Sequence, residues 1–363
     1  MLVWMTLTHL PTIVSTYVNQ PFGFVSGAEG FIFLSALFTG RTYFLLAERE
    51  GNRAMLGQLW MRALRLYIYH LILLALAIVV ITELAAGGHR PGLHNLLDFY
   101  FAAPRKAPVA GALLIYRPPL LDILPMYITF LLFTPLALTL GRKIGWKLIL
   151  SVGFALWLAA QFGLRQAVYE FGTQVFGVRM PLSATGSFDL FAWQFMWLLG
   201  LYCGARWSKG DLPVEKWAKQ MLIPALVIVP VLFAMRYSVG RSIELGIFEV
   251  SFNKWHLGIV RLINFAAVAA LLVQLRTVVA RLAIKPFVMM GQASLQVFCA
   301  HLLFCFIGLA IMREEPMVNG WQEAALVAMA LSGMLLTAQI FSRKRSLPRH
   351  AQVTTRAVPQ FGD

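Results

Sequence analysis

Two ionisable residues near the start of the chain have side chains that suit a base-catalysed transfer. His9 stands in TLTHLP, and histidine can act as a base near neutral pH. Glu29 stands among small residues in FVSGAEGF, where a carboxylate in apolar surroundings needs a partner. We predict that Glu29 orients His9, as the third group does beside an activated base. A buried ion pair between Glu29 and an arginine is the alternative.

Basic residues at helical spacing follow in RALRLYIYH. Arg62 and Arg65 lie on one face of a helix at this spacing. Two guanidinium groups on one face can hold a phosphate or a carboxylate through paired hydrogen bonds. The segment therefore predicts an anion site. The alternative is that both side chains only anchor the end of the helix at the membrane surface.

A second set of polar residues has the chemistry of a carbohydrate site. Asp122 and Tyr127 stand in PPLLDILPMY, at the predicted outer end of a helix. Trp193 and Gln194 stand in FDLFAWQFMW. A tryptophan face can stack on a sugar ring, and carboxylate, phenol and amide groups bind hydroxyls, so we predict a sugar site here. Helix capping by Asp122 and an interfacial position of Trp193 are the alternatives.

Two further ionisable residues lie inside apolar segments. Arg261 begins the core of a predicted helix, and His301 stands in SLQVFCAHLLFCF, where we expect it to make a structural hydrogen bond. The cysteines have no spacing that suits zinc, and the sequence has no P-loop, GxSxG, HExxH or GxGxxG motif. We therefore predict no metal and no bound cofactor. The cysteines are Cys203, Cys299 and Cys305.

The composition requires lipid around most of the chain. Of 363 residues, 59% are hydrophobic and only 13% are charged, about half the charged share of a soluble domain. The net charge of +15 comes from short basic clusters between apolar runs. That distribution is typical of a membrane protein that follows the positive-inside rule, and it argues against nucleic-acid binding.

The apolar runs predict an all-α, polytopic membrane bundle of about ten helices, the first of them incomplete. The stretch 1–10 is apolar but too short to cross alone. Between the full spans, the short apolar segments 92–103 and 108–115 are predicted to be interfacial or re-entrant. The predicted full spans are 24–46, 61–84, 119–140, 146–163, 187–205, 219–236, 256–275, 286–311 and 321–341.

The distribution of lysine and arginine predicts the orientation. One set of connecting segments has twice as many of these residues as the opposite set, so we place both termini in the cytoplasm of a bacterial inner membrane. Residues 1–341 then form one membrane domain, and 342–363 a basic, disordered cytoplasmic tail. The predicted outward loops are 11–23, 85–118, 164–186, 237–255 and 312–320.

Six segments together resemble OpgC-type proteins of the acyltransferase-3 superfamily of membrane acyltransferases. The resemblance covers nearly the whole chain, and SGAEGF with FLS, and LDILP with the tyrosine after it, are its most specific parts. The six segments are THLP, SGAEGFIFLSALFTGRTY, RALRLYIYHL, LDILPMYITFLLFTPLAL, FAWQFMWLLG and MMGQASLQVFCAHLL.

The resemblance implies an enzyme that moves an acyl group, above all succinyl, from cytoplasmic acyl-CoA onto osmoregulated periplasmic glucans. It implies that His9 is catalytic and that Glu29 is the family's AEGF carboxylate. It also implies that Arg62, Tyr67 and His70 form the family's arginine, tyrosine and histidine element, on the acyl-CoA side. The partners would be acyl-CoA, a glucan and the bilayer.

A transfer across the bilayer gives each of these groups a task. His9 would take a proton from a glucosyl hydroxyl, whose oxygen would attack the thioester carbonyl. Arg62 and Arg65 would hold the phosphates of CoA at the cytoplasmic mouth. Arg261 would favour a succinyl carboxylate over an acetyl group.

The start of the chain departs from the family pattern. The family has the first half of a helix and an arginine upstream of its histidine, whereas Met1 lies only eight residues before His9. We therefore expect a start further upstream or an impaired enzyme. Ala36 also replaces a small residue that is often glycine in the family.

Two other functions fit the same features. One is an acetyltransferase of another exopolysaccharide, which shares the base and the spans. The other is a transporter of a glycan or a lipid-linked precursor, which performs no chemistry and would not depend on a single base.

Overall fold

The computed structural model describes residues 1–86, 91–177, 180–239, 249–312 and 320–343, and these ranges contain helices and no strand. The helices are α1 Leu2–His9, α2 Ile13–Val18, α3 Gly27–Arg49, α4 Gly51–Ala86, α5 Pro91–Leu96, α6 Asp98–Ala102, α7 Ala107–Ala112, α8 Ile123–Lys143, α9 Trp146–Gln161, α10 Leu164–Phe176, α11 Leu190–Ser208, α12 Val214–Gln220, α13 Leu222–Ala234, α14 Glu249–Phe252, α15 Ile259–Gln274, α16 Arg276–Arg281, α17 Lys285–Gln292, α18 Ser294–Met312 and α19 Gly320–Arg343. A 3₁₀ turn, Leu182–Thr185, precedes α11, and a π turn, Met235–Val239, continues α13. The predicted tail lies almost wholly outside the described residues.

Four helices are long and apolar enough to cross a membrane, and up to seven spans result if each bent pair counts as one. The ten predicted helices are therefore not confirmed among the described residues, although the all-α class and the apolar helices are. The bent pairs are Trp146–Gln161 with Leu164–Val175 (79°), Val214–Gln220 with Leu222–Tyr237 (63°), and Lys285–Gln292 with Ser294–Ala310 (96°). The four helices are Gly27–Arg49, Gly51–Glu83, Ile123–Lys143 and Gly320–Ser342.

Two predicted spans differ from the others. The span predicted at 256–275 is a helix of 16 residues, Ile259–Gln274, which at 1.5 Å per residue is shorter than the hydrocarbon core. The span predicted at 187–205 is the 19-residue helix α11, which is not among the four long apolar helices. Gln194 and Arg206 lower its hydropathy. Gln194 donates to the Gly153 carbonyl, and Arg206 pairs with Asp211 at the end of the helix.

Glycines let α3 and α11 pack with their backbones almost in contact. A side-chain carbon added at Gly204 would lie 2.1 Å from the Leu37 carbonyl oxygen, and one added at Gly40 would lie 2.5 Å from the Leu201 carbonyl oxygen. Small residues are the usual means of close helix approach in lipid, where burial of apolar surface gives little driving force. This contact fixes α3, which holds Glu29, against α11, which holds Trp193.

Polar caps define where both helices begin. The Ser26 hydroxyl lies 2.6 Å from Glu29 Oε2, and the Ser26 backbone N–H donates to the same oxygen at 3.0 Å, which completes a capping box at the start of α3. Asp189 Oδ1 accepts from the backbone N–H of Phe191 at 2.9 Å and so caps α11. The carboxylates of these two caps, Glu29 and Asp189, also contact other segments of the chain.

The predicted interfacial segments form the short helices α5, α6 and α7. Helix α7 lies against α4, where the Tyr67 hydroxyl donates to the Ala112 carbonyl at 2.9 Å. His70 Nε2 lies 3.1 Å from the Gly111 carbonyl oxygen. A side-chain carbon at Gly111 would lie 2.5 Å from a terminal methyl of Leu74, so a larger residue there would require that side chain to move.

Candidate active site

Two cavities lie along the bundle and share part of their lining. The larger has a volume of about 1250 Å³ and the smaller about 270 Å³. Ile123 and Phe298 line both cavities, so these two side chains lie between them. The larger cavity is mainly apolar and contains Arg62 and Arg65. The polar residues of the smaller cavity are Thr8, His9, Asn19, Ser26, Asp122, Ser187 and Lys254.

His9 ends α1 and lines the smaller cavity, as a catalytic base would require. Its Nδ1 lies 3.2 Å from Nε2 of His301, and the two rings are stacked with their centroids 5.3 Å apart. Nδ1 of His301 in turn lies 3.4 Å from Sγ of Cys305. His301 therefore makes the structural hydrogen bond predicted for it, and its partner is His9, the predicted base.

This chain of contacts defines which nitrogen of His9 can act. If His9 Nε2 is to take a proton, Nδ1 must carry a hydrogen and donate it to Nε2 of His301. His301 must then carry its own hydrogen on Nδ1 and donate it to the Cys305 sulfur. The arrangement is the one in which a base is held in a fixed tautomer and orientation by a second group.

Glu29 does not contact His9, which corrects the prediction that it orients the base. Arg261 Nε donates to Glu29 Oε1 at 2.8 Å, and Arg261 Nη2 donates to the same oxygen. Both side chains are fully buried. The other oxygen, Oε2, belongs to the capping box of Ser26. The alternative prediction, a buried Glu–Arg pair, is the one confirmed.

The ion pair also corrects the role predicted for Arg261. Because Glu29 already neutralises this guanidinium, Arg261 does not offer a free charge to a substrate carboxylate. The cation that lines the smaller cavity is Lys254, in the segment between α14 and α15. Burial lowers the pKa of the Lys254 ammonium, and the nearby Glu29 carboxylate opposes that shift.

Asp122 lies at the start of α8 and lines the smaller cavity. Asp122 Oδ2 accepts from the backbone N–H of Ser187 at 3.2 Å. Burial raises the pKa of this carboxyl to about 6, and the hydrogen bond from Ser187 and the Lys254 charge oppose the rise. Asp122 makes no side-chain cap of its helix, so the capping alternative is not supported.

Arg62 and Arg65 lie in the larger cavity, as an anion site there would require. Arg62 donates to Thr39 Oγ1 at 3.1 Å and to the Tyr127 hydroxyl at 2.5 Å. Arg65 is exposed in the same cavity. Tyr127, predicted on the sugar side with Asp122, lies instead with Arg62 because it is more than one helical turn further along α8.

Four other predicted binding residues line neither of these two cavities. Tyr67 and His70 hold α7 against α4 instead. The fully buried Trp193 donates from Nε1 to the Trp255 carbonyl at 3.1 Å, and Gln194 donates to the Gly153 carbonyl at 2.6 Å. Their polar atoms are therefore used in positioning other segments.

Sequence analysis missed a charged residue and an aromatic residue of the smaller cavity that are functional candidates. Lys254 and Trp255 stand in SFNKWHLG, and both line the cavity that contains His9. The signal was weak, because the segment is short and lies in a predicted outward loop where lysine and tryptophan are common. Neighbouring lysine and tryptophan just before a helix were the available sign.

Comparison with known proteins gives one match. The family described as OpgC protein matches residues 1–346. No curated protein and no solved structure matches the chain. Because the family match spans nearly the whole sequence and includes every residue of both cavities, the chain belongs to the OpgC protein family.

Proposed function

We propose that this protein is a membrane-bound O-acyltransferase that moves a succinyl group from cytoplasmic acyl-CoA onto a periplasmic glucan. Membership of the OpgC family suggests a glucan-modifying acyltransferase. The observation that carries the proposal is the position of His9 in a polar cavity that shares Ile123 and Phe298 with a larger cavity lined by Arg62 and Arg65. One base would thereby serve two substrates that arrive from opposite ends.

The larger cavity supports a donor site. Its volume of about 1250 Å³ is ample for an acyl-pantetheine arm, and its lining is mostly apolar. Arg65 is exposed within it and would bind a phosphate of CoA. Arg62 is held by Thr39 and Tyr127, so its guanidinium would be oriented before the donor arrives.

The smaller cavity supports the chemical step. His9 Nε2 would take the proton of a glucosyl hydroxyl, and the oxygen would attack the thioester carbonyl. The carbon–sulfur bond would then break, and the thiolate would leave with the proton that His9 holds. The products are an O-acyl ester and CoA with a free thiol, so atoms and charge balance. His301 would orient His9 throughout.

A succinyl donor, rather than an acetyl donor, is supported by Lys254. A succinyl group has a carboxylate a few bonds from the thioester carbonyl, and it needs a cation close to the base. Lys254 lines the cavity of His9 and belongs to none of the ion pairs found among the described residues. Its ammonium would bind that carboxylate.

Mass spectrometry of periplasmic glucans tests the proposal. Glucans would be compared from cells with the gene, without it, and with His9→Ala. His94→Ala is the matched control, because His94 is exposed and lines neither cavity. We expect a succinyl mass increment in the wild type and the control only.

Other results would redirect the assignment. An acetyl increment that needs His9 would support the acetyltransferase alternative and refute the succinyl donor. A mass increment that persists in His9→Ala would show that His9 is not the catalytic base. Unmodified glucans in every strain would contradict the acyltransferase and favour a transporter.

A further inference from the structure

Trp255 is a tryptophan whose side chain remains 40% exposed beside the catalytic cavity. Lys254 Nζ lies 4.9 Å from the centroid of its ring, and the Phe188 ring meets it nearly at a right angle with centroids 5.3 Å apart. The indole is therefore supported by packing without being covered by it. Such a ring face beside a base can receive a flat apolar surface.

The backbone around Trp255 is held by hydrogen bonds on both sides. Asn253 Oδ1 accepts from the backbone N–H of Trp255 at 2.8 Å. The Trp255 carbonyl accepts from Trp193 Nε1 at 3.1 Å and from the backbone N–H of Asp189 at 3.0 Å. The ring thus projects from a loop whose main chain is fixed to α11.

The two residues that follow are fixed in the same way. Trp157 Nε1 donates to the Leu257 carbonyl at 3.0 Å, and Gln161 Nε2 donates to the His256 carbonyl at 2.8 Å. These donors belong to α9, so the loop is tied to two helices. A loop with this many side-chain hydrogen bonds is preorganised, which reduces the entropy lost on binding.

We propose that Trp255 is the stacking platform for a sugar ring of the acceptor. The inference rests on the proposed function, since it assumes that the acceptor is a glucan. The carbon-bound hydrogens of one face of a pyranose would lie on the indole. Asp122, in the same cavity, would accept a hydrogen bond from a ring hydroxyl.

The position of Lys254 fits this assignment. Its ammonium lies over the indole ring, and Lys254 also lines the cavity of His9. An acyl carboxylate on Lys254 and a sugar ring on Trp255 would therefore be neighbours, and transfer between them needs that proximity. Trp193, predicted as the sugar platform, would instead be a positioning residue for Trp255.

Kinetics and binding with purified protein in lipid nanodiscs test the platform. The probes are succinyl-CoA and glucans extracted from cells that lack the gene. We expect Trp255→Ala to raise the KM and the Kd for the glucan about tenfold, while the KM for succinyl-CoA stays unchanged. Trp255→Phe keeps a ring and should restore most of the glucan affinity.

Trp321→Ala is the control, since Trp321 is 69% exposed and lines neither cavity. It should behave as the wild type, and equal thermal midpoints for all variants would show that each folds. Wild-type glucan affinity in Trp255→Ala, or an equal rise in both KM values, would overturn the platform while leaving the acyltransferase in place. A wild-type protein that neither binds nor modifies the glucan would overturn both.

Discussion

The two cavities differ in volume, polarity and in what surrounds them. The larger one is mostly apolar, and its exposed arginine is Arg65. The smaller one is lined by His9, Asp122 and Lys254, and short connecting segments contribute much of its wall. Residues of α3, α4, α8 and α18 line much of the larger cavity, whereas helix ends and connecting segments hold the ionisable groups of the smaller one.

The two cavities also differ in the contacts that hold their lining residues in place. Arg62 is held by two hydroxyl groups, those of Thr39 and Tyr127. Behind the smaller cavity stand a buried ion pair, Glu29 with Arg261, and a histidine pair. A buried charge is costly unless it is paired. The groups behind the smaller cavity therefore depend on particular partners, and loss of one partner should destabilise them more.

Loss of the base should produce the largest effect. His9→Ala should lower kcat for acyl transfer about 10⁴-fold, because general-base catalysis by a positioned side chain reaches that size. The KM for acyl-CoA should not change, since the donor would bind in the other cavity. Initial rates with labelled donor measure both quantities, with His94→Ala as the control, and a less than tenfold loss would contradict the role of His9.

Loss of the buried ion pair should destabilise the fold next most strongly. Glu29→Gln leaves the Arg261 guanidinium buried without its charged partner, and breaking such a pair costs roughly 4 kcal/mol of unfolding free energy. Denaturation in detergent measures the change. Glu215→Gln breaks a pair with Arg276 in which both side chains are exposed, so it should give no measurable loss. Equal losses of unfolding free energy in Glu29→Gln and Glu215→Gln would contradict the claim that the buried ion pair stabilises the fold more than the exposed one.

Asp122 should make stability depend on pH in a defined direction. Its pKa is raised from 3.8 to about 6, so the folded protein binds the proton more tightly and loses stability as the pH rises from 4 through 6. Asp122→Asn removes that loss and should be more stable than the wild type by about 3 kcal/mol at pH 8.

At pH 4 the stability advantage of Asp122→Asn should disappear, since both side chains are then neutral. Thermal unfolding at the two pH values tests this prediction. Asp98→Asn, at an exposed carboxyl, is the matched variant and should show no such pH-dependent gain. If Asp122→Asn is instead less stable than the wild type at pH 8, the surroundings of Asp122 stabilise its ionised form, and the prediction is wrong.

Arg65 should give the smallest effect, because its side chain is exposed. Arg65→Met should raise the KM for acyl-CoA about tenfold with kcat and the KM for the glucan unchanged, as expected for loss of one phosphate contact. Arg53→Met is the control on the same helix, since Arg53 is exposed and lines neither cavity. A change in the KM for the glucan would contradict the assignment of the donor to the larger cavity and of the glucan to the smaller one.

The length of the apolar runs predicted the helices well where each helix is continuous. The span predicted at 119–140 is α8, Ile123–Lys143, and the one predicted at 321–341 is α19, Gly320–Arg343. Prediction failed at the bends. The run 286–311 contains a 96° bend between Lys285–Gln292 and Ser294–Ala310, which hydropathy does not detect because both parts are apolar.

The start of α4 illustrates a second limit. The apolar run begins near residue 61, whereas the helix begins at Gly51, a residue with a positive φ of 89°. Polar side chains such as Asn52 and Arg53 are compatible with a helix outside the apolar core. Hydropathy therefore locates the lipid-exposed part of a helix and not its end.

The candidate site could be predicted in its residue types and only partly in its contacts. His9 and Asp122 were predicted as separate candidate site residues, and both line the smaller cavity. The partner of His9 is His301, which is 292 positions away in the sequence, and a single sequence contains no signal for that pairing. Glu29 is closer than His301 to His9 in the sequence. A buried carboxylate needs a charged partner, however, and Arg261 is that partner.

The proposed transfer of an acyl group from a donor in the larger cavity to an acceptor in the smaller one is most directly tested in sealed proteoliposomes that contain the protein in one orientation. Labelled succinyl-CoA would be supplied only on the side of Arg65, and glucan only on the other side. We predict labelled glucan with the wild type, no label with His9→Ala, and no label when the two substrates exchange sides. Equal labelling when both substrates are confined to one side would contradict a donor in the larger cavity and an acceptor in the smaller one.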